Sequence, residues 1–164
     1  MGHGPEKWSA WLDAHGPALI LLARQWADSH AEAEDIVQDA FVRFWPNRAS
    51  ARSARAYLHA CVRSAATDRR RREARRRRRE QAAEPARESL FDSPIEQGER
   101  RDAVERALTA LPREQREVVI MKIWGQLTFQ GIGEATGAPA NTAASRYRYA
   151  LASLREALQQ ERVG

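Results

Sequence analysis

LTFQGIGEATGAPANTAASRYRYALASLREAL, residues 127–158, holds two helical patterns on either side of one tight break. Thr128 is placed to cap a short helix running to Thr136, Gly137, Ala138 and Pro139 make a turn, and Asn141 is the expected cap of a long final helix. Two helices joined by a short glycine-containing turn predict a helix-turn-helix. On the final helix Ala143, Tyr147, Ala150, Leu151, Leu154 and Leu158 share an inward face. That leaves Asn141, Ser145, Arg148 and Tyr149 opposite, with Thr142, Ala144 and Arg146 at the edges. The outward set is slim, polar and basic, which is what a helix entering the DNA major groove needs to reach base edges and phosphates.

Upstream of this unit the helical period continues. Residues 100–111 carry Val104, Ala107, Leu108 and Leu111 at helical spacing, and Pro112 opens another helix with Val118, Val119, Met121 and Ile123 ahead of a stop at Gly125. Before that, EQAAEPARESLFDSPIEQGE, residues 80–99, has two prolines, six acidic residues and no sustained period, and reads as a flexible linker. At the other end, Trp8, Trp11 and Leu12 and then Ala18, Leu19, Leu22, Ala23 and Trp26 predict a short helix, a break at Gly16 and Pro17, and a second helix. Ser29 or His30 caps the next one, in which Ala33, Ile36, Val37, Ala40, Phe41 and Phe44 form one core stripe and Pro46 is the stop. PNRASARSAR, residues 46–55, is a loop, and from Ala56 a helix with Leu58, Cys61, Val62 and Ala65 inward runs on into a block of arginines. The fold class is therefore all-α, with no strand pattern: two small helical domains joined by a flexible linker, the C-terminal one a helix-turn-helix. The expected boundaries are 1–80, 81–99 and 100–164.

Charge is concentrated where the two units meet. Nine arginines occupy the eleven positions from 69 to 79. Residues 1–45 carry three basic and seven acidic groups, 46–83 thirteen and three, and 84–164 eleven and twelve, so segment charges of −4, +10 and −1 make up the net +5. A basic block between acidic or near-neutral flanks is the footprint of a polyanion contact, most often nucleic acid. With 25 Arg against 2 Lys over the whole chain, the choice of arginine is not specific to that block. Residues 69–72 follow directly from a patterned helix and are expected to be held in register, whereas 75–79 are expected to run out into the linker as a basic tail. One cysteine, Cys61, excludes an intramolecular disulfide and a multi-cysteine metal site. The longest apolar run, PALILLA, is too short to span a bilayer and the N-terminus has no apolar leader segment, so a cytoplasmic protein without membrane insertion is expected. No cofactor is expected, and the histidines, His3, His15, His30 and His59, lack metal-ligand spacing.

AEAEDIVQDAFVRFW, then ARAYLHACVRSAATDRRRR, then, past the linker, ALTALPREQREVVIMKIWGQLTFQGIGEATGAPANTAASRYRYALASLR together resemble the two conserved regions of a bacterial extracytoplasmic-function sigma factor, in order and spacing. The strongest pieces are Ala33-Glu34-Asp35 with Gln38, Leu111-Pro112, and Thr142 with Ser145-Arg146. The resemblance implies a promoter-specificity subunit and not an enzyme, with core RNA polymerase, promoter DNA and an anti-sigma factor or other regulator as partners. Asp35, Gln38, Asp39 and Val42 lie at i, i+3, i+4 and i+7 opposite the core stripe, an acidic face with an apolar member suited to a basic partner, and carry the implied polymerase contact. The implied proximal-promoter residues are Asn47, Arg48, Arg52 and Arg55 in the loop, Tyr57 and Arg63 on the helix, and Arg69, Arg70, Arg71 and Arg72, which hold a flipped base and the separating strands. The distal element falls to Asn141, Thr142, Ser145, Arg146 and Arg148.

The chain departs from the family pattern at Gly131 and Gly133, where an acidic residue and an alanine are common; at about 1 kcal/mol per glycine in a helix, the helix-turn-helix is expected to be marginal alone. Ala143 and Ala144 stand where a β-branched and a basic residue are usual, and Ser64 replaces an asparagine. Two other classes stay in view: a helix-turn-helix repressor or response-regulator output domain, which has no use for the Asp35 face and dimerises on paired half-sites, and a metal-dependent nuclease, for which no converging acidic pair is present outside one helix face.

Overall fold

The computed structural model describes residues 5–81, 83, 86–91 and 98–163. Among them are seven α-helices and no strand: α1 (Pro5–Ala23), α2 (His30–Phe44), α3 (Ala54–Glu80), α4 (Gly98–Ala110), α5 (Arg113–Ile123), α6 (Phe129–Thr136) and α7 (Ala140–Val163), with a 3-10 turn, Trp45–Asn47, after α2. None is long and apolar enough to cross a membrane.

In α2 the predicted core stripe is the buried set, residue for residue. Ser29 is its cap, accepting the Glu32 amide N–H, while the Glu32 carboxylate accepts from the Asp28 N–H at 3.2 Å. The first helix differs from expectation: α1 runs unbroken through Pro17. The carbonyl that Pro17 leaves without its helical donor belongs to Asp13, and both residues are exposed, so the unmade bond lies on the solvent side and the helix continues. Its aromatic residues close the bundle, with Trp8 and Phe41 rings 5.2 Å apart, Trp11 and Phe44 5.3 Å, and Phe44 and Tyr57 5.8 Å.

Two further expectations are corrected. α3 begins at Ala54 under a Ser53 cap and continues to Glu80, where Gln81 in the left-handed conformation ends it. All nine arginines are therefore helical, and residues 75–79 are no tail. Arginine is a good helix former, and Arg76 bridges Glu73 at 3.1 Å and Glu80 at 2.9 Å along one face. α7 begins at Ala140, so Asn141 lies inside its first turn and does not cap it.

The connection at 86–91 has no regular structure, as its composition predicts, and in that stretch it is hydrogen-bonded to both halves. Buried Arg24 donates to the carbonyls of Ala27, Glu88 and Ser89; Arg87 donates to the Arg24 carbonyl at 2.8 Å; and the Glu88 N–H reaches the Asp28 carbonyl at 2.9 Å. Ser89 and the Leu90 N–H both donate to the Glu105 carboxylate. Bonds to backbone carbonyls leave no pattern in a sequence.

The two halves also touch directly. α3 packs on α6 and α1 on α5, while α7 lies across α4, α5 and α6. Leu19, Leu22, Ile36, Phe41, Leu58 and Val62 form one continuous core with Val118, Ile120, Met121 and Ile132, and a small second cluster of Leu108, Leu111, Val119 and Ala150 sits under α4 and α7.

Candidate polymerase and nucleic-acid interfaces

Asp35, Gln38, Asp39 and Val42 are all exposed on one side of α2. Val42 is 65% exposed, an apolar side chain that folding does not use. Asp35 meets Arg69 at 3.9 Å, a loose surface pair that a docking protein can displace.

The loop after α2 is ordered from within. The Arg48 guanidinium lies 3.7 Å above the Trp45 ring and donates to the Trp45 carbonyl, Asn47 donates to the Arg43 carbonyl at 3.4 Å, and Ser50 donates to that of Asn47 at 2.9 Å. Asn47 and Arg52 are exposed on this scaffold. Tyr57 is half-buried against Phe44, and burial, with Cys61 beside it, pushes its phenol above the usual range.

The predicted DNA-facing arginines separate into two groups. Arg71 and Arg72 are exposed, and with Arg70, Arg75 and Arg78 on α3 and Arg43 on α2 they line an open groove whose acidic member is Asp68. Arg43 pairs with Asp68 at 3.6 Å, and Asp28 takes Arg70 at 3.4 Å and Arg77 at 3.5 Å. Arg43, Arg75 and Arg78 lie outside the sequence-derived set, because Arg43 is distant in the chain and the other two read as a tail. The second group faces the other half of the molecule. Arg63 donates from Nε to Glu117 Oε2 at 2.8 Å and from Nη2 to Oε1 at 3.3 Å, and Glu117 is 1% exposed. Arg55 reaches toward the Gln126 carbonyl at 3.5 Å. In this structure both therefore face α5 and the turn after it.

His59, also outside that set, is buried at the same junction. Its Nδ1 sits 2.9 Å from the Arg55 carbonyl, which assigns the ring proton to Nδ1 and leaves Nε2, under Gly125, with no partner among the described residues. Burial pulls its pKa down to about 4, and the charges of His15 and Arg55 act in the same direction against the one favourable backbone bond. Neither Glu117 nor His59 breaks its helix's pattern, so neither announces itself in the sequence.

On α7, Asn141 and Arg148 are exposed and Thr142, Ser145 and Arg146 partly so, forming one open face along its first two turns. Arg148 donates to the Ser145 hydroxyl at 3.3 Å. α6 is held behind it by Thr128, which accepts the Gly131 N–H, and by Gly137 at φ 75°, the turn residue expected. Tyr147 packs on Phe129, with ring centroids 5.6 Å apart, and Tyr149 is exposed.

The sequence and the fold both have counterparts among known proteins. Residues 11–76 match the family described as Sigma-70 region 2, and residues 101–154 match Sigma-70, region 4. The chain is 30% identical to an RNA polymerase sigma-E factor of Streptomyces avermitilis over 163 residues, 97% of this chain and 89% of that one. It is 32% identical to one of Streptomyces coelicolor over 144 residues, 86% and 80% of the two. In fold it is similar to the sigma factor RpoE of Bartonella quintana, solved with the anti-sigma factor NepR, at TM-score 0.76 and 22% identity over 94% of this chain and 98% of that one. It is also similar to CnrH, solved with the cytosolic domain of CnrY, at TM-score 0.64 and 22% identity over 96% and 90%.

Proposed function

The chain belongs to the sigma-70 family as an extracytoplasmic-function sigma factor, and from that membership we propose how its surfaces divide the work of promoter-specific initiation. Residues 1–80 form the domain that docks on core RNA polymerase and opens the proximal element, 81–99 connect, and 100–164 read the distal element. The observation that carries this reading is the exposed Asp35, Gln38, Asp39 and Val42 stripe on the same helical unit as the arginine groove. A protein that bound DNA alone would need only the groove. The acidic stripe meets a basic polymerase surface, with Val42 supplying the apolar anchor.

Held there, the 46–55 loop offers Asn47, Arg48 and Arg52 to an unstacked base, and Arg69, Arg70, Arg71 and Arg72 neutralise the phosphates of the separating strands. Melting a few base pairs needs only that the single-stranded form be bound more tightly than the duplex, so the chain performs no bond chemistry of its own. The exposed face of α7 enters the major groove of the distal element, where Asn141, Ser145, Arg146 and Arg148 meet base edges and Thr142 meets backbone. It acts in the cytoplasm, where polymerase is, and an anti-sigma factor restrains it by covering these same faces; the likeness in fold to RpoE, which was solved in complex with the anti-sigma factor NepR, supports such a partner.

Transcription in vitro with purified core polymerase on a pooled promoter library tests the reading. Initiation from a subset sharing a proximal and a distal element is expected. A stable homodimer that binds paired half-sites and ignores polymerase would replace it with the repressor reading.

A further inference from the structure

Where the connection meets the end of α1 and the start of α5, four arginines gather round residues 24–26. Buried Arg24 gives its donors to the carbonyls of Ala27, Glu88 and Ser89. Arg87, exposed on the connection, donates to the Arg24 carbonyl at 2.8 Å. Arg116, half-buried on α5, donates to the Gln25 side-chain oxygen at 3.2 Å and to the Leu111 carbonyl at 3.1 Å. Gln25 is itself fixed, its amide donating to the Leu21 carbonyl at 2.9 Å. Arg113, exposed on the same side of α5 as Arg116, has its guanidinium 5.7 Å from the Trp26 ring centroid.

All of these anchors are neutral. Elsewhere in the chain arginines are met by carboxylates: Arg63 by Glu117, Arg70 and Arg77 by Asp28, Arg106 by Glu161. Among the described residues Arg87, Arg113 and Arg116 have no ion pair. The nearby acids are engaged or turned away. Asp28 and Glu117 are taken by the arginines just named, and the Glu88 carboxylate accepts the His30 N–H at 3.2 Å. Glu114 is set nearly opposite Arg116 around α5. A neutral acceptor orients a guanidinium without cancelling its charge. Burial, and after it the charges of Arg87 and Arg113, pulls the Arg116 pKa below the ordinary arginine value. Burial and Arg87 do the same to Arg24, against the opposing effect of Glu88, Asp28 and Glu105. The cluster is therefore held together against its own repulsion.

We propose that Arg87, Arg113 and Arg116 form a phosphoryl-binding site, in which one compact, multiply charged oxyanion lies between the three guanidinium groups while Gln25 and the Leu111 carbonyl hold Arg116 in place. Charge decides the ligand class. A single carboxylate would leave most of the cluster unmatched, whereas pyrophosphate, free or at the end of a nucleotide, meets all three groups, and its oxygens fit the paired donors of a guanidinium. Shape decides it further. Three groups round one point suit a compact ion, while an extended acidic peptide or a nucleic-acid strand suits a row such as that on α3. Trp26 is only 6% exposed and offers no open ring to a base, so the site selects the phosphoryl group and not what carries it. Because Arg87 belongs to the connection and the other two to α5, the bound ion links two segments that the chain itself does not join by an ion pair. The site rests on none of the surfaces assigned to polymerase or promoter.

Isothermal titration of the full chain with sodium pyrophosphate, at ionic strength matched with sodium chloride, tests this. The wild type should bind one pyrophosphate with an affinity that Arg75→Gln with Arg78→Gln, in the groove of α3, leaves unchanged. Arg87→Gln and Arg113→Gln should each weaken it about tenfold, the loss of one charge-assisted hydrogen bond. Both residues are exposed, so these variants should fold as the wild type does, and in chloride alone their thermal midpoints should be no lower, since each removes a repulsion. Added pyrophosphate should raise the wild-type midpoint more than theirs. Adenosine triphosphate as a second titrant identifies the source: binding that matches pyrophosphate and is lost in the same variants makes a nucleotide the ligand, and its failure leaves the free ion. No heat beyond the chloride blank, or equal losses in the α3 variant and the site variants, would overturn the proposal. So would displacement of the pyrophosphate by a mixed-sequence single-stranded oligonucleotide, which would make the cluster part of the nucleic-acid surface.

Discussion

A Cβ on Gly133 would stand 2.4 Å from the carbonyl oxygen of Ala138, so the helix-turn-helix closes only because that position has no side chain. Propensity alone makes Gly133→Ala a gain of about 1 kcal/mol; the clash with backbone reverses the sign. Equilibrium urea unfolding of the full chain should show Gly133→Ala destabilised by roughly 1–3 kcal/mol, the usual range for overpacking. An unchanged or raised midpoint would mean the turn shifts to admit the methyl.

Asp35→Lys with Asp39→Lys should abolish retention on core polymerase and move the thermal midpoint by no more than a few degrees. Both carboxylates are exposed, and the pair with Arg69 is of the surface kind that contributes about 0–1 kcal/mol. Size-exclusion chromatography with core polymerase gives the first result and a circular dichroism melt the second; wild-type holoenzyme formation by the double variant would reassign the face.

Arg148→Ala should weaken binding to the preferred distal sequence by about 1–3 kcal/mol and to a scrambled one by much less. Competition titrations of the holoenzyme on the two duplexes measure this. Equal losses would reduce Arg148 to a phosphate contact.

Because the arginine block is helical throughout, Arg75, Arg78 and Arg79 present an ordered row of charge. Replacing the three with Gln should leave helical content intact and lower the slope of log K against log salt by about 2 to 3, near one for each phosphate no longer neutralised. Promoter ranking should hold, whereas substitutions at Asn47 or Arg52 should reorder it.

His59 ties stability to acidity. Its folded pKa of about 4 lies below the ordinary histidine value of 6.5, so the folded chain resists a proton that the unfolded chain accepts. Above pH 6.5 the effect is absent; as pH falls from 6.5 toward 4 stability is lost, to an extent on the order of 3 kcal/mol, and below that the loss is level. The difference in unfolding free energy between wild type and His59→Gln should shift across that window and stay flat from pH 7 to 8. A flat difference throughout would show that His59 is hydrated in solution.

Amphipathic stripes were legible: the α2 core set, the two helices around Gly137 and the exposed acidic face of α2 all follow from residue spacing, because each is set within a few turns of one helix. The closed arrangement was not. Arg63 with Glu117 and His59 under Gly125 join residues more than fifty positions apart, and each looks like an ordinary member of its own helix. Pro17 misled because a break is inferred from the missing donor alone, while its tolerance depends on which side of the helix faces water. The arginine block misled in the same way, since like charge argues for fraying and only the placement of Glu73 and Glu80 opposite Arg76 shows how the helix persists.

The continuous core from Leu19 and Leu58 to Met121 and Ile132 bears on cooperativity. Two domains on a slack tether would melt independently, each with its own midpoint. Here the apolar surface that stabilises α6 is partly supplied by α3, so heat should unfold the chain in a single calorimetric transition whose van't Hoff and measured enthalpies agree. The partner or promoter that pulls the halves apart then inherits two smaller, weaker folding units, and the chain's resistance to unfolding comes to depend on what it is bound to.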